Sequence, residues 1–200
     1  MAEAAYATLT ILHIPPMYIE LSLPEGASGD WEIRTFYEGD TKYQALFKSG
    51  ILMMANTFDI VEEYVDFLSR AEGTILINGL GIGMCCQYLL KKPSVTALTV
   101  VEFEPDAIKL VAPYFKSDLR FETIQADALT FQPPQGVRYD YVWHDIWTQY
   151  RSANLESMDS LFEKYRNIAG WQGAWAREKC ITLQRTEQTR SQANRFSDRK

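Results

Sequence analysis

Thr74–Glu104 reads TILINGLGIGMCCQYLLKKPSVTALTVVEFE. It opens on an apolar run, turns through glycines at alternate positions, Gly79, Gly81 and Gly83, and continues as a segment to Leu90. A second apolar run, ALTVV, then ends in Glu102. Continuous apolar runs divided by a helical stretch are how strands of a parallel sheet covered on both faces read. The stretch therefore predicts a strand, a glycine turn, a helix and a second strand with an acid at its tip.

Glycines at such a turn let the backbone bend sharply and let a ligand approach the amides at the start of the next helix. A dinucleotide fingerprint would place its last glycine at position 84, where Met84 stands, so the GxGxG spacing argues against NAD or FAD. Glu102 stands where a carboxylate can accept hydrogen bonds from both hydroxyls of a ribose. Its other reading is an exposed acid favouring the following helix N-terminus, a task that suits Glu104. Together these features predict a site for the adenosyl half of a nucleotide-like cofactor.

Outward from this core the pattern repeats. RFETI leads into Gln125-Ala126-Asp127-Ala128, and YDYVW leads into His144-Asp145-Ile146-Trp147. Asp127 is placed to accept a hydrogen bond from an adenine amino group. Four consecutive strand ends thus carry polar chemistry at the carboxyl edge, where open α/β sheets bind ligands. Pro105 suits the first position of a helix over the following apolar residues, and Asn154 to Ile168 sets Leu155, Met158, Leu161, Phe162, Tyr165 and Ile168 on one helical face. WQGAWA offers a short fifth strand, and a polar tail rich in arginine reads as a solvated helix or a frayed end.

Upstream, the runs ATLTILHI, MYIELSL, WEIRTF, KYQALF and ILMMA are short, alternating and separated by glycine or proline, which predicts strands and hairpins. Asn56 or Thr57 caps a bridging helix through Phe58, Val61, Tyr64, Val65 and Leu68. The expected division is an N-terminal β-strand and hairpin domain over 1–55 and an α/β domain over 56–200.

Composition bounds the function. A chain of 200 residues with 46% hydrophobic content can bury roughly 70% of its unfolded surface in one sizeable core. A net charge of −6 disfavours phosphate-neutralising contacts, so no nucleic-acid partner is expected. No stretch approaches the roughly 20 apolar residues of a membrane span, and the first residues, MAEAAYATL, lack a basic start followed by a long apolar run, so no membrane partner and a cytoplasmic location are expected. Cys85, Cys86 and Cys180 show no metal-knuckle or disulfide spacing and read as buried thiols; no metal site is expected. His13 reads as structural.

From about Lys42 to His144 the sequence resembles the class I S-adenosylmethionine-dependent transferases, and within them the spermidine-synthase-like branch. The resemblance is carried in order by Gly79-Leu80-Gly81-Ile82-Gly83, Val100-Val101-Glu102, Ala126-Asp127-Ala128 and Tyr139-Asp140-Tyr141-Val142. LFKSGILMMANTFDIVEEYVDFL looks like the hairpin and helix that lead into the family's glycine strand after a small β domain. The resemblance implies a Rossmann-like, mostly parallel sheet with helices on both faces, short of the family's late strands after a fifth. It implies S-adenosylmethionine or its decarboxylated relative, bound by Gly79, Gly81, Gly83, Glu102, Asp127 and Ala128.

The chain departs from the branch where the acceptor would sit. Aminopropyl-transferring members follow their fourth strand with an acid, two small polar residues, a second acid and proline, whereas this chain has Asp145-Ile146-Trp147-Thr148-Gln149. The expected activity is therefore methyl transfer to a small acceptor. The alternatives are aminopropyl transfer from the decarboxylated donor and a non-catalytic nucleoside-binding scaffold. Asp145 and His144 are the candidate catalytic residues, for holding an acceptor amine or removing its proton. Strand alternation sends their side chains to opposite faces, so one of them serves the site and the other is a packed group. Trp143 and Trp147 read as core or pocket wall. The N-terminal strands offer an edge for a homodimer.

Overall fold

The computed structural model describes residues 18–197; the expected strand ATLTILHI, with His13, lies outside the described residues. Strands β1 (Gly26–Ser28), β2 (Trp31–Glu38), β3 (Thr41–Lys48) and β4 (Ile51–Ala55) form an antiparallel sheet in that order. The described part of MYIELSL, residues 18–23, is not a strand of it. Residues 18–25 belong to no helix or strand, with Ile19, Leu21 and Leu23 buried at alternate positions. The alternation was legible, but β3 already pairs on both edges, with β2 and β4. Side chains therefore replace the missing ladder. Buried Gln44 accepts from the Leu23 amide at 2.9 Å and donates to its carbonyl at 2.7 Å. Asn56 accepts from the Gln44 amide at 2.7 Å and donates to the Ile19 carbonyl at 2.8 Å.

That duty removes Asn56 from capping. Thr57 occupies the cap position without a side-chain bond, and the expected single helix is two, α1 (Phe58–Glu62) and α2 (Val65–Arg70). Glu63 and Tyr64 occupy the break between them.

Beyond it the α/β pattern is regular: β5 (Gly73–Asn78), α3 (Met84–Leu89), β6 (Val95–Glu102), α4 (Pro105–Val111) with a following 3-10 turn, and β7 (Phe121–Gln125). Then come β8 (Tyr139–His144), α5 (Asn154–Tyr165), β9 (Ala169–Ala174) and α6 (Arg177–Ser197). The five strands are all parallel in the order β7-β6-β5-β8-β9, a Rossmann-like α/β sheet. The expected fifth strand is β9, and the polar tail forms α6.

Alternation along β5 divides the core between two faces. Ile75 and Ile77 pack with Leu98, Val100, Met84 and Val111, while Leu76 packs with Val101, Val142, Leu161 and Tyr165. Strand order reverses between β5 and β8, which leaves a crevice at their carboxyl ends. The antiparallel sheet sits over this edge. Ser28 donates to Asp106 of α4 at 2.6 Å, and Lys48 of β3 pairs with Glu104. All three cysteines are buried and unbridged.

Replacing Gln44 with leucine leaves the buried Leu23 amide and carbonyl without partners, at about 1–3 kcal/mol for each orphaned group. Gln44→Leu is expected to lower the denaturant midpoint by the equivalent of about 2 kcal/mol or more at unchanged slope. An unaltered midpoint contradicts the brace.

Candidate functional site

The glycine turn is shaped by what surrounds it. Gly79 has φ 104°, and a Cβ there would lie 2.0 Å from the Asp145 carbonyl oxygen. The Asp145 amide donates to the Asn78 carbonyl at 2.7 Å, and the Gly79 amide to the Val101 carbonyl at 2.8 Å. Three strand ends therefore converge at a point that only a residue without a side chain passes. Gly81 has φ 51°, and its nearest neighbour is the flexible end of Met54. Gly83 stands apart from the crevice: at the start of α3 it allows Phe115 and Val111 to close within 3 Å of where a Cβ would be.

Glu102 ends β6 and spans the turn. One carboxylate oxygen accepts from the Leu80 amide at 2.8 Å and the other from the Glu104 amide at 2.9 Å. The two sequence readings of Glu102 meet here, because it serves the start of the next helix and still lines the crevice. Each oxygen has two lone pairs, so one on each remains for a ligand hydroxyl. Contrary to the expectation from sequence, Glu104 does not cap α4 with its side chain; its carboxylate is taken by Lys48, which also lies over the Trp31 ring at 5.1 Å.

Asp127 follows β7. Its Oδ1 accepts from the Leu129 amide at 2.8 Å, and its carbonyl accepts from the Phe131 amide at 2.7 Å, which closes the turn. Its Oδ2 is uncommitted among the described residues. Ala128 is buried, and both residues line the crevice.

Alternation along β8 separates the two catalytic candidates. His144 goes to the α5 side with no solvent exposure, where its Nδ1 meets Asn78 Nδ2 at 2.8 Å and its Nε2 meets Gln172 Oε1 at 3.2 Å. The amide of Asn78 donates, so Nδ1 accepts and Nε2 carries the proton. Burial pushes the His144 pKa down to about 4, with the Lys164 charge in the same direction and the Gln172 bond opposing. It is a neutral, packed imidazole. Asp145 goes to the other side and lines the crevice, accepting from the buried Tyr64 hydroxyl at 2.7 Å. Burial pushes its pKa up to about 7, opposed by the Tyr64 bond and reinforced by the charges of Glu102 and Glu63. A carboxyl poised near neutrality is suited to proton transfer.

Gly79, Gly81, Glu102, Asp127, Ala128 and Asp145 thus share one cavity of about 540 Å³, within the roughly 300–1,000 Å³ of pockets that hold drug-sized ligands. Sequence reasoning missed several of its walls. Tyr64 reads as one more apolar position of a helix, and nothing local marks it as the partner of Asp145. Glu63 also lines the cavity and pairs with Lys179 of α6, while Trp175 closes it beyond β9. Trp147 is a wall anchored to Ser157 at 3.0 Å, whereas Trp143 is core, stacked on Phe67 at 4.8 Å between centroids. Among the described residues no cluster of metal-ligating side chains occurs, and no helix is long and apolar enough to cross a membrane.

No family profile and no curated protein matches the chain. Among solved structures it is similar to spermidine synthase from Thermotoga maritima, with 19% identity, a TM-score of 0.46 and coverage of 69% of this chain and 52% of that one. A spermidine synthase in complex with the transition-state analogue AdoDATO gives 20% identity, a TM-score of 0.48 and coverage of 70% and 51%. N-methyltransferase NodS from Bradyrhizobium japonicum WM9 gives 18%, 0.41, 55% and 57%. The chain spans about half the length of these proteins.

Two predictions follow from the geometry. Gly79→Ala meets backbone at a positive φ and is expected to cost about 3 kcal/mol or more, against about 1 kcal/mol for Gly81→Ala, where a methionine can yield. Chemical denaturation of the two variants checks the order, and equal losses contradict it. The second concerns pH. His144, lowered from 6.5 to about 4, contributes stability that is present above about pH 6.5 and lost as pH falls towards 4. Asp145, raised from 3.8 to about 7, favours the folded state at low pH and loses that contribution as pH rises through 7. The two oppose each other in the parent. Asp145→Asn leaves only the histidine effect, so its stability should rise from about pH 4 to 6.5 and exceed the parent's at about pH 8 by on the order of 1–2 kcal/mol. Melting curves that stay parallel across this range contradict the assignment.

Proposed function

We propose that the crevice binds the adenosyl part of S-adenosylmethionine or its decarboxylated relative, and that the protein transfers a group from the sulfonium to a small acceptor held at Asp145. The observation that carries this reading is the meeting of Glu102, Asp127 and Asp145, each at the end of a different parallel strand, with Gly79 and Gly81 in one cavity. Glu102 offers two acceptors for a ribose, Asp127 one for an amino-bearing base, and the glycine turn gives room for the chain between them.

A sulfonium donor supplies an activated carbon open to direct displacement. The protein's work is then alignment and the exclusion of water. Asp145 accepts a hydrogen bond from an incoming amine or hydroxyl nucleophile and takes up its proton as the nucleophile–carbon bond forms and the carbon–sulfur bond breaks, the neutral thioether being the leaving group. Tyr64 fixes the Asp145 carboxylate, while Trp147 and Trp175 wall the acceptor end. His144 takes no part, because it faces α5.

Methyl transfer is the lead reading, since the stretch after Asp145 lacks a second acid before Gln149. Aminopropyl transfer is supported by charge: Glu63, Glu102, Glu104, Asp127 and Asp145 line the cavity against a single described cation, Lys48, which Glu104 already pairs. Such a field favours a donor without a carboxylate.

Calorimetry with both donors tests the reading. One of them is expected to bind, and Glu102→Gln to weaken it about ten- to a hundredfold. Asp145→Asn should leave donor affinity within a few fold while lowering transfer by roughly 10²–10⁴. Binding of neither donor nor of their thioether products refutes the proposal.

A further inference from the structure

We infer that Lys164 is a positioning residue for the base end of the crevice, fixing through the turn at 127–131 where Asp127 stands when it reads an adenine. The inference rests on the adenosyl reading proposed above. Lys164 lies on α5, the helix covering the face opposite Asp145, and takes no part in the cavity wall itself. Its ammonium donates to the carbonyls of Ala128 at 2.8 Å, Leu129 at 2.6 Å and Phe131 at 3.1 Å. An ammonium has three protons, and all three are committed to one turn.

The same turn is closed from its other side by Asp127, whose carbonyl accepts from the Thr130 and Phe131 amides and whose Oδ1 accepts from the Leu129 amide. Amides therefore gather on Asp127 and carbonyls on Lys164. A single turn held at both poles has little freedom to rotate the free Oδ2. Two other cations gather carbonyls in the same way: Lys92 holds those of Leu68, Ser69 and Ala71, and Arg120 those of Leu90, Lys92 and Val95. None of those residues lines the cavity, whereas Ala128 and Asp127 do. Lys164 is the one of the three whose removal loosens a wall of the crevice.

Lys164→Met keeps the stem and deletes the three donors. Leu129 is exposed, so water can replace the ammonium at its carbonyl. The test measures the affinity of the parent and variants for 5′-methylthioadenosine and for 5′-methylthioinosine, which carries an oxo group where adenine has its amino group. The parent should prefer the adenine form by about tenfold or more, and Lys164→Met should bring that preference down towards the value for Asp127→Asn. The double variant should lose little beyond either single one, and Lys164→Arg should restore part of the preference. A merely structural role would weaken both ligands alike.

If the parent discriminates and Lys164→Met still discriminates equally, the inference is overturned and the adenosyl reading stands. A parent that binds neither ligand overturns both. Should Lys164→Met not fold, Lys164→Gln, which retains an amide donor, is read by the same ratio.

Discussion

The crevice depends on one carboxylate. Glu102 ends β6 and accepts from amides on both sides of itself, Leu80 in the glycine turn and Glu104 at the start of α4. Without it two amides at the carboxyl edge of a parallel sheet would lack partners, and the turn would keep only the Gly79 amide's bond to the Val101 carbonyl as a tie to the end of β6. Charge-assisted bonds of this kind contribute on the order of 1.5–3 kcal/mol each. In the proposed reading the same acid accepts from a ribose, so the group that shapes the pocket would also present its chemistry. The β8 end is set differently, by exclusion: the Asp145 carbonyl passes so close to Gly79 that no side chain fits between them.

Much of this was legible where the signal is local. Apolar runs, alternate glycines and terminal acids lie within a few residues of each other, so Thr74–Glu104 carries its own strand, turn and acid. Alternation along β8 likewise separated His144 from Asp145 before either was placed. β9 starts at Ala169 rather than at Trp171, because AGWQGA has weak strand character and is fixed by its pairing with β8.

What the sequence hid is long-range. Tyr64 and Asp145 are 81 positions apart, and Glu63 and Lys179 are 116 apart. Tyr64 fits a helical period and so read as core. The break that frees it has no glycine or proline to announce it. MYIELSL has the alternation of a strand, yet β3 has no edge left, and Gln44 and Asn56 supply by side chain what a ladder would have supplied. Asn56, which with Thr57 suits a helix cap locally, is hidden for the same reason: its side chain serves a partner that the local sequence does not reveal.

The most direct test of the central claim is a crystal structure with 5′-methylthioadenosine bound. The ribose hydroxyls are expected within hydrogen-bonding distance of Glu102, the base amino group beside Asp127, and the sulfur directed towards Asp145. A nucleoside bound elsewhere, or in this crevice with its ribose away from Glu102, would contradict it.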